Sequence, residues 1–294
     1  MRHFYCAALS AVAVFGFASV AAAADLPVKA PITKAPIAAS AYSWAGFYLG
    51  GNVGYSWGHA GSDATATISS IGTGLNGGNN VITSNTASAR AQLNGALGGV
   101  QAGYNWQSGS AIYGLEADVQ VTGQHGGGVF AFTAPLGAVI NNVLATGTLT
   151  NTTTYKLPWF GTFRGRIGYA ADRWLFYATG GLAVGEISAA SSTTMGFSAG
   201  VGAPPPSQSF FTREGRAGWV IGAGVETAFA TNWSFKLEYL HIDLGSIDQP
   251  FSTPAVGSAF ATISATGNLH TRVADDLVRV GVNYRFGGPV VATY

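Results

Sequence analysis

One pattern constrains this chain more than any other. Stretches of about a dozen residues set aromatic or aliphatic side chains at alternate positions, with Gly and charged residues between them, and such stretches recur about eight times. The last is among the clearest. In residues 273–286, VADDLVRVGVNYRF, the even positions carry Val278, Val280, Val282, Tyr284 and Phe286, and the odd ones carry Arg279, Gly281, Asn283 and Arg285. Successive side chains of a strand point to opposite faces, so each stretch reads as a strand with one greasy and one polar face. A soluble sheet resting on a core fits that pattern. So does a membrane barrel with lipid outside and a polar interior.

Composition separates the two. Charged residues are 9% of the chain, against about 25% in ordinary soluble domains. Gly supplies 42 of 294 residues, roughly double its usual share. A chain so poor in charge makes a poor soluble surface. Yet beyond residue 24 no run of about 20 apolar residues is available for a membrane helix. A bilayer then leaves the closed barrel, in which every backbone N–H and C=O is paired internally.

The first 24 residues read as a secretory leader: Arg2, an apolar core over 7–20, and Ala22-Ala23-Ala24 before Asp25. The only cysteine, Cys6, lies inside it. The mature chain is expected to be cysteine-free, which excludes a disulfide scaffold, a thiol nucleophile and a Cys-ligated metal. Without Arg2, 13 basic and 13 acidic residues remain, leaving no charge excess for nucleic acid. Residues 25–43, rich in Pro and Ala, read as a periplasmic linker, 44–286 as the barrel, and 287–294 as a short tail.

Strands are expected at about 45–57, 93–106, 111–122, 157–170, 173–186, 215–229, 233–244 and 273–286. The connections alternate in length: about 34 residues, four, 33, two, 28, two and 27. The long ones, full of Gly, Ser, Thr and Asn, read as loops. Short turns at one end and long loops at the other are the mark of an outer-membrane barrel, with the long loops extracellular. The expected fold is therefore all-β: an eight-stranded antiparallel up-and-down transmembrane β-barrel with four long extracellular loops and short periplasmic turns, in the bacterial outer membrane.

The tryptophans fit two interfacial rings. Trp44, Trp106, Trp174 and Trp233 fall at short-turn ends, and Trp57, Trp159 and Trp219 at or near long-loop ends. In strand four, Leu157, Trp159, Phe163, Ile167 and Tyr169 are assigned to the outer face. In strand five, Leu175 and Tyr177 blur the alternation.

The inward set comprises Glu116, Asp118, Arg164, Arg166, Glu226, Lys236, Glu238, Arg279 and Arg285. An eight-stranded barrel is only wide enough inside for side chains, and buried charges need partners. Glu116 lies level with Arg164 and Arg166 on the adjacent strand, and Glu238 lies level with Arg279. An interlocked ion-pair network that closes the lumen is the expectation.

Enzyme signatures are weak. Residues 196–200 (GFSAG) match a nucleophile motif and 125–128 (HGGG) an oxyanion motif. The first, however, needs a strand–turn–helix setting, and VGAPPP follows it. His59, His125, His241 and His270 lack zinc-ligand spacing. Gly222-Ala223-Gly224 lacks the rest of a dinucleotide fingerprint. No catalytic role, cofactor or metal is expected.

The stretches ADLPVKAP, YSWAGFYLGGNVGYSWG, FGTFRGRIGYA, WLFYATGGLAVG, GWVIGAGVETAFATNWSFKLEYLHIDLG and VRVGVNYRF resemble the outer-membrane immunogenic protein family of alphaproteobacteria. These are porin-family barrels related to the opacity and OmpA-type eight-stranded domains. The resemblance covers the leader and essentially every strand. It implies a terminal strand ending in an aromatic residue that the barrel-assembly machinery reads. Phe286 matches, with Tyr284 on the same face, although the chain runs on through GGPVVATY and the terminal Tyr294 is the other candidate. The family is functionally diverse. The expected function is a surface-exposed structural or antigenic component with a charge-plugged lumen, and the alternative is a narrow or gated porin for small hydrophilic solutes. The expected partners are outer-membrane lipid and lipopolysaccharide, with the assembly machinery and periplasmic chaperones during biogenesis.

Overall fold

The computed structural model describes residues 42–72, 80–140, 143–198, 207–257 and 261–286. The expected leader, most of the linker and the tail after Phe286 lie outside them. Eight strands follow one another: β1 (Gly46–Gly72), β2 (Asn80–Ser108), β3 (Ala111–Ile140), β4 (Val143–Ala171), β5 (Trp174–Phe197), β6 (Gln208–Ala228), β7 (Trp233–Gly257) and β8 (Ala261–Phe286). Each pairs antiparallel with the next, and β1 pairs with β8 from Phe47↔Phe286 upward. The sheet therefore closes on itself without an edge at the level of the lower strands.

Tight turns join the strands at one end. Gly109 (φ +60°) and Asp172 (φ +52°) take the left-handed backbone conformation there, which Gly and Asp tolerate best. Residues 229–232 make the third turn.

The strands run far past their expected upper ends. They are 21 to 30 residues long, whereas about 9–11 tilted residues cross a bilayer. The stretches expected to be long loops, about 58–91, 123–155, 187–214 and 245–271, are mostly paired extensions of the strands. β1 and β2, for example, stay in register to Ile71↔Asn80. Thr explains the difference. Its polarity and its Ser, Gly and Asn neighbours suggest loop, but its branched Cβ favours extended backbone. On upper β4, Thr148, Thr150, Thr152 and Thr154 face outward, while Leu149, Asn151, Thr153 and Tyr155 are buried.

Lower down, the outer wall is apolar. Leu49, Val53, Val100, Leu115, Val119, Phe163, Ile167, Leu182, Ile221 and Leu237 are all exposed on it. Six tryptophans border this band and are 40–50% exposed: Trp57, Trp106, Trp159, Trp174, Trp219 and Trp233. Ten residues of β7 separate Trp233 from Asp243, the partner of Trp219. At about 3.4 Å per residue and a tilt near 40°, that is a height of about 26 Å, close to the apolar band of an outer-membrane barrel.

Trp44 does not join the rings. It is 2% exposed and packs inside the short-turn end with Ile112, Ala170, Leu175, Tyr177 and Ala228. Its backbone N–H donates to Gln107 Oε1 at 2.6 Å. It precedes β1 and so is not bound by the strand's alternation. Leu157 is also inward rather than outward, at 1% exposure. The β4–β5 register shifts between Lys156 and Trp159, around Pro158. Such a bulge inserts a residue and flips the parity on one side.

Close approach of strands is built on glycine. A Cβ on inward Gly181 would stand 2.1 Å from the Phe163 carbonyl oxygen, whereas one on outward Gly180 would meet nothing nearer than Val220 O at 3.6 Å. Gly181→Ala is expected to abolish or sharply reduce the heat-modifiable, faster-migrating band of the folded barrel in unboiled gel samples, and Gly180→Ala to leave it intact. Equal behaviour of the two variants would contradict this strand spacing.

Candidate functional site inside the barrel

The site is built by alternation. Inward positions on β3, β4, β6, β7 and β8 bring four carboxylates (Glu116, Asp118, Glu226 and Glu238) and four cations (Arg164, Arg166, Lys236 and Arg279) into one cluster. None of the eight is more than 4% exposed. Three pairs sit directly opposite in register, Glu116↔Arg164, Glu226↔Lys236 and Glu238↔Arg279, the placement in which opposite charges on neighbouring strands attract best.

Arg164 is the hub. Its guanidinium bridges Glu116, Asp118 at 2.8 Å and Glu238 at 3.0 Å. Its Nε donates to Thr162 Oγ1 at 2.9 Å, whose hydroxyl donates to Asp118 Oδ2 at 2.7 Å. Arg279 of β8 pairs with its neighbour Glu238 at 2.6 Å and reaches across the lumen to Asp118 of β3 at 3.0 Å. Lys236 contacts Glu116 at 3.0 Å and, more loosely, Glu238 at 3.8 Å. Arg166 contacts Glu226 at 3.1 Å and Glu116 at 3.4 Å.

Two tyrosines that sequence reasoning did not select complete the cluster. Tyr48 Oη donates to Glu116 Oε2 at 2.7 Å, and Tyr177 Oη donates to Glu238 Oε1 at 2.9 Å. Their rings hold the Arg166 guanidinium, 5.4 Å from the Tyr48 centroid and 4.3 Å from that of Tyr177. Desolvated cation–π contacts of this kind add to the ion pairs. Tyr177 thus accounts for the blurred alternation of strand five: it and Leu175 are inward, and Trp174 and Phe176 are outward. The signal for Tyr48 was its parity with Gly50 and Asn52. An amide chain extends the polar layer. Asn52 donates to Gln101 at 2.5 Å, Gln101 to Asn283 at 2.7 Å, and Asn283 to Glu226 at 2.8 Å.

Arg285 stands apart. Among the described residues it pairs with no carboxylate. Its Nη2 donates to the Thr231 carbonyl at 3.0 Å and its guanidinium lies 4.3 Å from the Tyr42 ring centroid. Asp275 is a buried inward carboxylate that the sequence reading overlooked, although it shares parity with Arg279. It accepts from Gln124 Nε2 at 2.6 Å and has no ion pair among the described residues.

Apolar layers lie on both sides of the cluster. Along β4 from the short-turn end come Ala170, then Arg166 and Arg164, then Phe160, Leu157 and Tyr155, then Leu149. Leu240, Ile242 and Leu244 of β7 and Leu277 and Val273 of β8 fill the layer just above the charges. Of the enzyme-like stretches, HGGG lies within β3, and Ser198 accepts the Thr146 N–H through Oγ at 3.0 Å. Residues 199–200 lie outside the described residues.

Removing one member of such a cluster strands its partners in a dry interior. Arg164→Ala should lower the urea-unfolding free energy of the folded protein by about 3–5 kcal/mol. Arg285→Ala removes one hydrogen bond and the contact with the Tyr42 ring and should cost about 1–2 kcal/mol. Equal losses would mean that the hub geometry carries no special weight.

A family model for the outer membrane protein β-barrel domain matches residues 10–286. The 31 kDa outer-membrane immunogenic protein of Brucella melitensis is 32% identical over 279 residues, covering 92% of this chain and 95% of the relative. A 22 kDa outer membrane protein of Rhizobium leguminosarum is 29% identical, over 70% and 67% of the two chains. The 25 kDa outer-membrane immunogenic protein of Brucella abortus is 25% identical over 97% of this chain and all of its own.

Proposed function

Because the chain belongs to the outer membrane protein β-barrel family, we propose that it is a surface-exposed structural and antigenic component of the outer membrane whose lumen is closed by charge. The observation that carries this reading is the neutral cluster of four carboxylates and four cations between two apolar layers. A hydrated ion crossing that stretch would have to separate several dry ion pairs at once, each costly to break. The extended strands support the display role. They carry a Ser- and Thr-rich outer surface beyond the upper indole ring, and relatives of this chain bear the name immunogenic.

The six outward tryptophans serve in this reading as interfacial anchors. The exposed Phe286, 4.9 Å from the Tyr284 ring and 5.6 Å from that of Phe47, serves as the aromatic end of the strand presented to the assembly machinery. Contact with lipopolysaccharide is supported by a row just above Trp57. Arg90 of β2 and Arg272 of β8 flank Gly61 of β1 in register, and exposed His59 lies two residues below Gly61. Arginine forks suit phosphate oxygens.

Refolded protein in planar bilayers should give no stepwise conductance. Clear single channels would replace this reading with that of a narrow porin. Orientation is checked on whole cells. Ile82→Cys should react with a membrane-impermeant maleimide, and Ser110→Cys in the β2–β3 turn should react only after the envelope is permeabilised. The reverse pattern would invert the barrel.

A further inference from the structure

The wall of the barrel is not continuous over its full height. Among the described residues, β6 and β7 pair from Ala228↔Ser234 up to Trp219↔Asp243 and no further. Both strands continue. β6 runs back to Gln208 on β5 alone, and β7 runs to Gly257 on β8 alone. The separation begins where β7 shifts register against β8 between Asp243 and Ser246, with Gly245 at φ +75°. Above the upper indole ring the two strands therefore bound a lateral slot.

A cavity of about 150 Å³ opens into that slot. Its deep wall is Phe130, Phe132 and Leu269, each under 5% exposed, and its mouth carries Phe210, Phe211 and Phe251. Gln249 of β7 also lines it. The Gln249 Nε2 is buried and, among the described residues, has no hydrogen-bond partner. A buried donor left unmade is unfavourable, and a ligand acceptor placed on it relieves that cost. Polar Asn151, Ser191 and Thr212 line the cavity as well. A space of this size takes a single benzene-sized ring, and Phe side chains favour edge and offset contacts with one.

We propose that the β6–β7 slot is a binding site for a small uncharged aromatic molecule with one hydrogen-bond acceptor, admitted from the side, its ring among Phe130, Phe132 and Phe251 and its acceptor on Gln249 Nε2. The apolar layer and ion cluster lie beneath the site, so it captures its ligand and does not pass it down the lumen. Binding at the slot stands independently of whether the barrel conducts; retention of the ligand above the ion cluster rests on the closed lumen proposed above.

The test uses the full protein in lipid nanodiscs, with acetophenone and its isostere without the carbonyl, ethylbenzene, followed by saturation-transfer NMR. Wild type should bind acetophenone saturably and about fivefold tighter than ethylbenzene, the worth of one hydrogen bond. Gln249→Leu should erase that preference while keeping the heat-modifiable band. Phe211→Ala, at the exposed rim, should weaken both ligands about equally and supports the site even if Gln249→Leu fails to fold. Non-saturable uptake identical in all variants would mean partition into lipid and would overturn the proposal. So would an extended peptide that pairs with the open strand edges while acetophenone fails to bind.

Discussion

Hydrocarbon offers a backbone no hydrogen-bond partners, and from that the rest of this molecule follows. Each N–H and C=O within the bilayer must be met by a neighbouring strand, so the sheet has to close. The eighth strand meets the first, Phe286 against Phe47. Closing with only eight strands leaves an interior no wider than side chains. Alternation then sends every second residue into that space. Whatever the inner face carries must pack with the inner faces of seven other strands.

The chain meets that demand with charge and keeps it neutral. Four cations face four carboxylates, and Arg164 touches three of the four acids. The cluster also needs residues with no charge of their own. Gly181 lies in register with Arg164 and permits close strand approach. Tyr48 and Tyr177 bring flat apolar bodies with a single donor at the tip, so they fill volume around Arg166 and still satisfy Glu116 and Glu238. A longer cation or a second acid at either position would unbalance the count. Specificity of this kind, and not raw stability, is the best-attested return on buried ionic groups.

Much of this was legible in the residues because a period of two leaves no freedom once one residue is placed. Fixing Arg279 as inward fixes Arg285 and Asn283, and the eight clustered charges follow from parity on their own strands. What escaped the sequence was whatever breaks or lies outside that period. The bulge at Pro158 turned Leu157 inward. Trp44 stands before the first paired residue, and an indole suited to an interface is equally suited to capping an apolar end. Tyr48 was visible by parity but gave no charge signal. Asp275 was hidden beside Asp276, one facing in and one facing out. The upper halves of the strands were missed for a different reason. Their outer face is Thr and Ser because it faces water, so the contrast between faces that marks a membrane strand disappears, while the extended backbone does not.

That last point bears on how the two ends of the barrel differ. Between the indole rings the wall is apolar outside, and inside it is ionic in its lower part and apolar from Leu240 and Leu277 upward. Above the rings it is polar outside, while Ala64, Ala66, Ile68, Phe130, Phe132, Leu149 and Leu269 gather inside. The outer face turns polar at the upper ring because the medium outside changes there. The rule for the backbone changes at the same height. Below Trp219 an unpaired strand edge would face hydrocarbon at a cost of several kcal/mol per group, and β6 and β7 are paired at every residue from there to the turn. Above it water can satisfy an open edge, and there the two strands part. A side opening in the wall is thus permitted only above the upper ring, where water meets the open strand edges, and there Phe130, Phe132 and Leu269 line the pocket behind it.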